Sequence, residues 1–492
     1  MAGLSVANIT GELSLAVREL PADLETPVSV YLKLAGEGPS FLLESVTGGE
    51  QVARYSFIGI HPRRAFVFHG QHMVVETPFG APQADEYRLE TEVGPFEALR
   101  RVVQDTGSAG IGLQGGLPRF CGGLVGYLGY ETVRFIEPSV PVVPPSGIPE
   151  SIFLQADTLV AFDHALSRLV LMVNGPDAEA RLDEIEGRLN HGLDLSPLSL
   201  KQSRNGIPPD LRSNMSREQF MEAVAKVKEH IVAGDIFQAV LSQRLSRETE
   251  ASPLSIYRSL RRLNPSPYMY FFDFSGLESA GSEPLFIIGA SPEMHVRLEG
   301  RKATMRPIAG TRRRGATPEE DQVLEAELLA DPKERAEHTM LVDLARNDLG
   351  RVCRYGSLHV PGQMLVEQYS HVMHIVSQVE GELRPELDAF DLMQATFPAG
   401  TVSGAPKVRA MQIIHGLEGQ PRGPYAGAVG YFSYDGSMDT CITIRTLVMQ
   451  GKQVSVQAGA GIVADSSPES EYQETLNKAR ALILAVEKAE GA

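Results

Sequence analysis

The stretch Gly400–Gly419, GTVSGAPKVRAMQIIHGLEG, has two unlike halves. Small, polar and turn-forming residues fill the first; Val408, Met411 and Ile414 recur at helix spacing in the second. Pro406 suits a first helical turn, and Ser403 suits an N-cap before it. A loop feeding a helix N-terminus gathers free N–H groups, and Lys407 adds a full charge. The stretch therefore reads either as a plain turn into a helix or as an anion site, and its neighbours weigh between the two.

The chain has 492 residues, 43% of them hydrophobic, enough for two or three ordinary domains or one large fold with a smaller partner. A formal charge of −17 disfavours nucleic acid and requires local cations to hold any anionic substrate. Cys121, Cys353 and Cys441 lie far apart without metal-ligand spacing, which points to a reducing compartment and away from zinc. No apolar run reaches membrane length and the N-terminus lacks a signal pattern, so a cytoplasmic globular protein is expected.

Periodicity supplies the elements around this stretch. PVSVYLKL reads as a strand or a strand–helix join, SFLLES as a buried strand, and RYSFIGI and RAFVFH as strands. FEALRRVVQ (96–104) has helix spacing, FCGGLVGYLGYE reads as a Gly-rich strand pair, and PSVPVVPPSGIP (138–149) is too proline-rich for an inner strand. TLVAFDH and RLVLMVN read as strands, followed by an acidic helix from Ala178 to Leu189. LDLSPLSLKQSRNGIPPDLRSN (193–214) lacks periodicity; it suggests an N-terminal part, 1–195, a linker, 196–214, and a C-terminal part, 215–492. Ser216 opens a helix with capping-box spacing to Gln219, an apolar stripe of Phe220, Val224, Val227 and Ile231, and Gly234 at its end. DIFQAVLSQRLS alternates as a strand, with Phe237, Ala239 and Leu241 on one face. Gln238, Ser242 and Arg244 share the other with Val240, and that polar face meets either solvent or a site.

GLVGYLGYE (123–131) and GAVGYFSYD (427–435) agree at Gly, Val, Gly, Tyr, Tyr and an acidic residue. They read either as equivalent strands of a duplicated unit or as convergence on a Gly-bearing buried strand. The fold class expected is α+β, with large mixed or antiparallel sheets and helices packed between and around them.

Two acidic pairs carry candidate chemistry. Glu334 and Glu337 lie three apart in DPKERAEHTMLVDLARNDLG, helical by composition, so both point to one face. Glu471 and Glu474 repeat the spacing in SPESEYQETLNKARALI, after a Pro468 that suits a helix start. Such pairs either decorate solvated faces or supply hard oxygens to Mg²⁺. IAGTRRRG (308–315) reads as a short turn followed by arginines, and QAGAGIVADSSPE (457–469) as a Gly-rich loop ahead of a helix. Arg445 sits in the otherwise apolar strand CITIRTLV, where a buried guanidinium needs an anionic partner from protein or ligand. A metal, an arginine and two backbone-amide loops fit a small dicarboxylate; no nucleotide fingerprint stands in a convincing context.

PIAGT, AEHTMLVDLARNDLG, HVMHIVS, PAGTVSGAPK, GAVGYFS, DTCITIRT and the GAGIVADS and PESEYQET strings together resemble the chorismate-utilising enzymes. The first half, with LLES and RYSFIG, resembles anthranilate synthase component I. The resemblance implies Mg²⁺-dependent amination of chorismate and release of pyruvate to give anthranilate, the first committed step to tryptophan. It implies Glu337 and Glu474 as Mg²⁺ ligands with Glu334 and Glu471 beside them. It implies chorismate contacts from Gly310, Thr311, Tyr425, Arg445, Gly459, Ala460 and Gly461, with Thr401 in the loop lining the pocket. His374 resembles the proposed general acid for the departing ring hydroxyl; its bland reading is a core histidine. Gln238 stands where isochorismate-forming relatives place a lysine base, and Ala309 where aminodeoxychorismate synthases often place a lysine nucleophile. Both favour the direct ammonia route to anthranilate; the alternative is an aminodeoxychorismate or aminodeoxyisochorismate synthase, and intact Glu337, Glu474, His374 and Arg445 speak against a dead tryptophan sensor.

Ser45, Pro267, Tyr268 and Met269 match the family's tryptophan effector site, which implies feedback inhibition. None of the three cysteines resembles a GxCxG glutaminase elbow, so a separate glutamine amidotransferase subunit is the expected source of ammonia.

Overall fold

A computed structural model describes residues 15–36, 38–46, 54–79, 84–88, 94–107, 116–143, 147–192, 210–368 and 372–490. The two echo segments form strands Gly123–Leu128 and Ala428–Ser433, which pair antiparallel with Gly126 opposite Gly430. Neither position admits a side chain: a Cβ would collide with the carbonyl oxygen of Ile152 at Gly126 and of Asp439 at Gly430. Shared glycines therefore let these inner strands approach their neighbours closely.

The strand order reads the same from either end. In one 12-stranded sheet ten strands run Leu15–Pro21, Arg168–Asn174, Thr158–Asp163, Tyr55–Gly59 and Ser40–Glu44, then Tyr268–Asp273, Leu285–Ser291, Thr446–Gln450, Gln453–Ile462 and Gln238–Glu248, and the two-residue strands Arg212–Ser213 and Gly404–Ala405 pair with the last. In the second 12-stranded sheet ten strands run Ala84–Arg88, His72–Glu76, Ala65–His69, Ser151–Ala156 and Gly123–Leu128, then Ala428–Ser433, Met438–Ile442, Met294–Glu299, Lys302–Met305 and Val372–Glu382, and Ile308–Arg313 and His359–Gln368 pair with the last. The midpoint of each ten-strand series is where a strand of the first half meets its counterpart in the second. This repeat favours duplication over convergence as the account of the echo. The α+β class follows, with antiparallel pairing throughout the strand ladders.

The sheets face each other over a core of Phe41, Tyr270 and Phe272 from one and Tyr127, Val429 and Tyr431 from the other. Phe120 stacks on Tyr431 with ring centroids 4.2 Å apart. Each such buried aromatic is worth on the order of 1.5–3 kcal/mol relative to exposure. Helices Pro27–Leu34, Ala178–Leu189, Pro253–Leu263 and Pro468–Ala489 cover the outer face of the first sheet. Helices Gly94–Gly107, Pro332–Gly350 and Ala389–Thr396 pack on the second.

Several local readings change. PVSVYLKL is a helix, opened by a Thr26 capping box and Pro27, because those end signals outweigh its alternation. FCGGLVGYLGYE contributes one strand, and Tyr130–Phe135 turns into a 3-10 helix. Strand Gln238–Glu248 is buried on both faces from Gln238 to Gln243, so its polar face does not meet solvent there. Phe237 lies outside that strand and is 71% exposed. Helix Arg217–Val232 keeps its Ser216–Gln219 capping box. Of the proposed linker, 196–209 lies outside the described residues, and Arg212–Ser213 adds a short strand to the first sheet.

Candidate functional site

Residues from Gly400 to Gly419 form a short 3-10 turn, a two-residue strand and helix Lys407–Glu418. Pro406 is the N-cap, while the Ser403 hydroxyl is buried and donates to Ala399 O at 2.9 Å. Lys407 is no anion ligand: its ammonium pairs with Asp348 at 2.8 Å and donates to Thr396 O. The turn instead places Thr401, whose hydroxyl is buried without a well-formed hydrogen bond and eases the charge on Glu293.

Glu293 is the group that reading the sequence missed. It sits where the chain leaves strand Leu285–Ser291 of the first sheet for Met294–Glu299 of the second. Burial pushes its carboxyl up to about 7, against the opposing effects of Thr401, Lys478 and Arg445. A glutamate in a two-residue gap between apolar strands was the available signal, in ASPEM. Arg445 lies on the matching crossover, in a bend with φ +50° between strands Met438–Ile442 and Thr446–Gln450, not within a strand. Its guanidinium makes no ion pair among the described residues. Burial lowers its pKa, and Glu293 is the acid that opposes this.

Because the chain turns at Arg445, the ladder to strand Gln453–Ile462 ends at Val456. Gly459, Ala460 and Gly461 lie within this strand, not in a loop, and pair on their other edge with Ser242, Leu241 and Val240. Their edge toward Arg445 has no strand partner among the described residues, so backbone groups remain there for a ligand. Gly459 also accommodates Tyr425, whose hydroxyl a Cβ would strike. The Ala460 side chain faces the opposite way, into a core with Ala239 and Leu241.

The strand Ile308–Arg313 carries a register shift between Ala309 and Thr311, with Gly310 at φ +67°. IAGTRRRG is therefore a bulged strand and not a turn. A Cβ on Gly310 would lie 3.2 Å from Glu334 Oε2. His374 lies opposite Thr311 in the ladder. Its Nδ1 meets Gly310 O at 2.9 Å and Thr311 Oγ1 at 3.1 Å. A carbonyl only accepts, so Nδ1 carries hydrogen and the neutral ring keeps its lone pair on Nε2. Burial lowers the His374 pKa; the Gly310 hydrogen bond opposes that and Arg445 adds to it.

Helices Pro332–Gly350 and Pro468–Ala489 bring the two acidic pairs together. Burial raises the Glu337 pKa, and the charges of Glu334 and Glu474 raise it further. Glu471 is raised by burial and by Glu474, while Ser466 lowers it. Lys478, one turn after Glu474, was also missed although its i,i+4 spacing is legible. It pairs with Glu474 at 2.7 Å and donates to Gly459 O at 3.0 Å, tying the carboxylates to the glycine strand. Arg312 bonds Glu334 at 3.3 Å and Asp331 at 2.7 Å. Among the described residues no three His, Cys, Asp or Glu side chains form a ready metal cage. Mg²⁺ commonly takes one or two carboxylates, with water and substrate completing its shell, so this donor set fits it. Mutual repulsion on Glu337 is a strain that a cation relieves.

Ser45, Pro267, Tyr268 and Met269 lie apart from this site and line a cavity of their own. Met269 pairs with Glu44 where the two halves meet, and Gly430 and Tyr431 of the second sheet close the other wall. The Ser45 hydroxyl is buried without a partner; Tyr268 donates to Asp439 at 3.0 Å.

The chorismate binding enzyme family model matches residues 38–484. The chain is 45% identical over 491 residues to anthranilate synthase component 1 of Pseudomonas putida, covering 96% of this chain and 95% of that protein. Its counterpart from Acetivibrio thermocellus is also 45% identical, over 96% and 94% of the two chains. The crystal structure of anthranilate synthase component I from Streptococcus pneumoniae superposes with a TM-score of 0.76 at 35% identity, covering 94% of this chain and 99% of that one. With a bulged strand, two acidic helices and an open glycine edge assembled around a buried arginine, the chain belongs to the chorismate-binding enzymes, in the anthranilate synthase component I family.

Proposed function

We propose that the chain converts chorismate to anthranilate and pyruvate, using ammonia from a separate glutaminase subunit. The observation that carries this reading is Arg445: a buried guanidinium without an ion pair among the described residues, beside the open edge of Gly459–Gly461, with its charge acting on Glu293 and His374. Chorismate is a dicarboxylate, so one carboxylate pairs with Arg445 and the other lies toward Glu337 and Glu474. Those two glutamates hold Mg²⁺, with Glu334 and Glu471 alongside. When bound, the ion withdraws electron density from the ring carboxylate and stabilises charge developing there.

Gly310, Thr311 and Tyr425 shape the pocket around the ring. His374, positioned by Gly310 O, delivers a proton from its charged form to the departing hydroxyl. The attacking ammonia loses one proton and the hydroxyl gains one, so this exchange releases water. Glu293 is a second group able to move a proton near neutrality. Elimination of the enolpyruvyl side chain as pyruvate then leaves the aromatic amine. Gln238, with its amide against Gly461, lacks the basicity to activate water, consistent with ammonia as nucleophile.

The Ser45 cavity binds tryptophan. Because it lies on the seam between the halves, an occupant touches both and biases their arrangement. The setting is cytoplasmic. No described helix is long and apolar enough to cross a membrane, and all three cysteines are free.

The test supplies chorismate, Mg²⁺ and either ammonium or ammonium-free glutamine, and follows anthranilate fluorescence. Product is expected with ammonium, increasingly at high pH, and not with glutamine until a glutaminase subunit is added. Tryptophan should suppress the reaction in the parent and much less in Ser45→Phe, whose ring fills the cavity. Comparable rates from glutamine alone would refute the two-subunit reading. A Ser45→Phe variant as sensitive as the parent would remove Ser45 from the effector site.

A further inference from the structure

A cavity of about 260 Å³ adjoins the catalytic pocket without being part of it. Tyr425 lines it, while the hydroxyl of the same residue lies against Gly459. None of Glu337, Glu474, His374 or Arg445 lines it. Its floor is the continuation of the glycine strand: Gln457 and Ser455 follow Gly459 at period two, on the same face. Arg244 stands opposite Gln457 in the ladder, and Val448 opposite Ser455. Ile148 adds an apolar wall.

Arg244 is the unmatched charge. Its Nη2 donates to Pro421 O at 2.8 Å, and its Nε is buried with no partner. It makes no ion pair among the described residues. The acids whose charges reach it are Glu131 and Glu418, and both are engaged elsewhere. Glu418 pairs with Arg422 at 2.7 Å and accepts from Ser242. Glu131 accepts from the backbone of Arg422 and Gly423, and burial pushes it up to about 7. Burial lowers the pKa of Arg244 itself, as it does for Arg445.

We propose that this cavity is a second binding site, taking a small carboxylate with a compact apolar body on the Arg244 guanidinium. The planar fork of an arginine matches a carboxylate edge, and a hydroxyl, an amide and apolar walls suit the remainder of such a ligand. The assignment stands independently of the catalytic reading, because Arg244, Ser455 and Gln457, on which it rests, take no part in that reading and Tyr425 is only a shared wall.

The test soaks crystals of the full chain with 4-iodobenzoate and locates iodine by its anomalous signal. Iodine is expected in the cavity with the carboxylate on Arg244, retained in Arg445→Gln and lost in Arg244→Gln. In solution, calorimetry with benzoate and with pyruvate separates an aromatic from a short aliphatic occupant. Losing charge-assisted hydrogen bonds should weaken the affected ligand about 10- to 100-fold in Arg244→Gln. Ser455→Leu, which fills the cavity and keeps the arginine, should abolish the same binding and decides the matter if Arg244→Gln does not fold. Iodine beside Arg445 alone, cavity density unchanged in Arg244→Gln, or no binding of either carboxylate to the cavity would overturn the proposal.

Discussion

Helix Ala178–Leu189 packs on strands Leu15–Pro21 and Arg168–Asn174, in the place that helix Pro468–Ala489 takes on Gln238–Glu248 and Gln453–Ile462. Both helices are acidic, and their carboxylates meet opposite surroundings. Glu179, Asp183 and Glu186 all pair with Arg18, at 3.2, 2.8 and 2.8 Å. In the second half Glu474 pairs with Lys478 and Glu334 with Arg312, while Glu337 lies between the like charges of Glu334 and Glu474 with no ion pair of its own among the described residues. The crossovers between sheets differ in the same sense. Ile60, after strand Tyr55–Gly59, is buried and apolar, whereas the corresponding crossing after Leu285–Ser291 buries Glu293. One scaffold is thus used twice, and chemistry gathers where its charges are left unmatched. The acids on Arg18 are matched within their own half, whereas Glu337 is buried beside like charges, which raise its pKa.

The sharpest way to break this contrast is to neutralise an acid in each half. Glu337→Ala or Glu474→Ala should lower anthranilate formation on the order of a thousandfold, the scale of losing several kcal/mol of charge stabilisation, with circular dichroism unchanged. Glu179→Ala, the first-half control, should leave the rate alone and shift stability by no more than about 0.5 kcal/mol. Activity within a few-fold of the parent in both glutamate variants would dissolve the distinction.

His374→Ala should reduce kcat about a hundredfold with a smaller change in KM, because proton delivery matters in the transition state. An unchanged kcat returns it to a histidine that only braces the bulge at Gly310.

The scaffold itself should respond alike in both halves. Gly126→Ala and Gly430→Ala each force a Cβ into a neighbouring backbone and should each destabilise by about 1–3 kcal/mol in denaturant titrations. A large cost at one and none at the other would show that the strands are alike in sequence but not in packing.

A smaller effect distinguishes the crossovers by pH. The Glu293 carboxyl is raised from 4.5 to about 7 in the folded chain, so the native state binds a proton that the unfolded state has released. Its contribution is present below pH 4.5 and fades as pH rises through 7. Melting curves of the parent should therefore fall across that interval more steeply than those of Glu293→Gln, which cannot ionise. Parallel profiles would mean that Glu293 is charged when folded.

Local chemistry made much of this legible in the sequence. Ser216 with Gln219 capped its helix as read, Ala178–Leu189 kept its bounds, and the i,i+3 acids fell on helices because spacing and end signals act within a few residues. The family resemblance supplied the candidate roles, which periodicity alone left open. What only the tertiary structure decided was pairing and environment. Strand Gln238–Glu248 is covered on both faces by elements far away in sequence, and Lys407 is spent on Asp348. Arg445 sits in a bend whose departure opens the glycine edge, and Glu293 shifts because water is excluded around it. Desolvation and charge proximity depend on which distant segments arrive at one place, and no window along the chain contains that information.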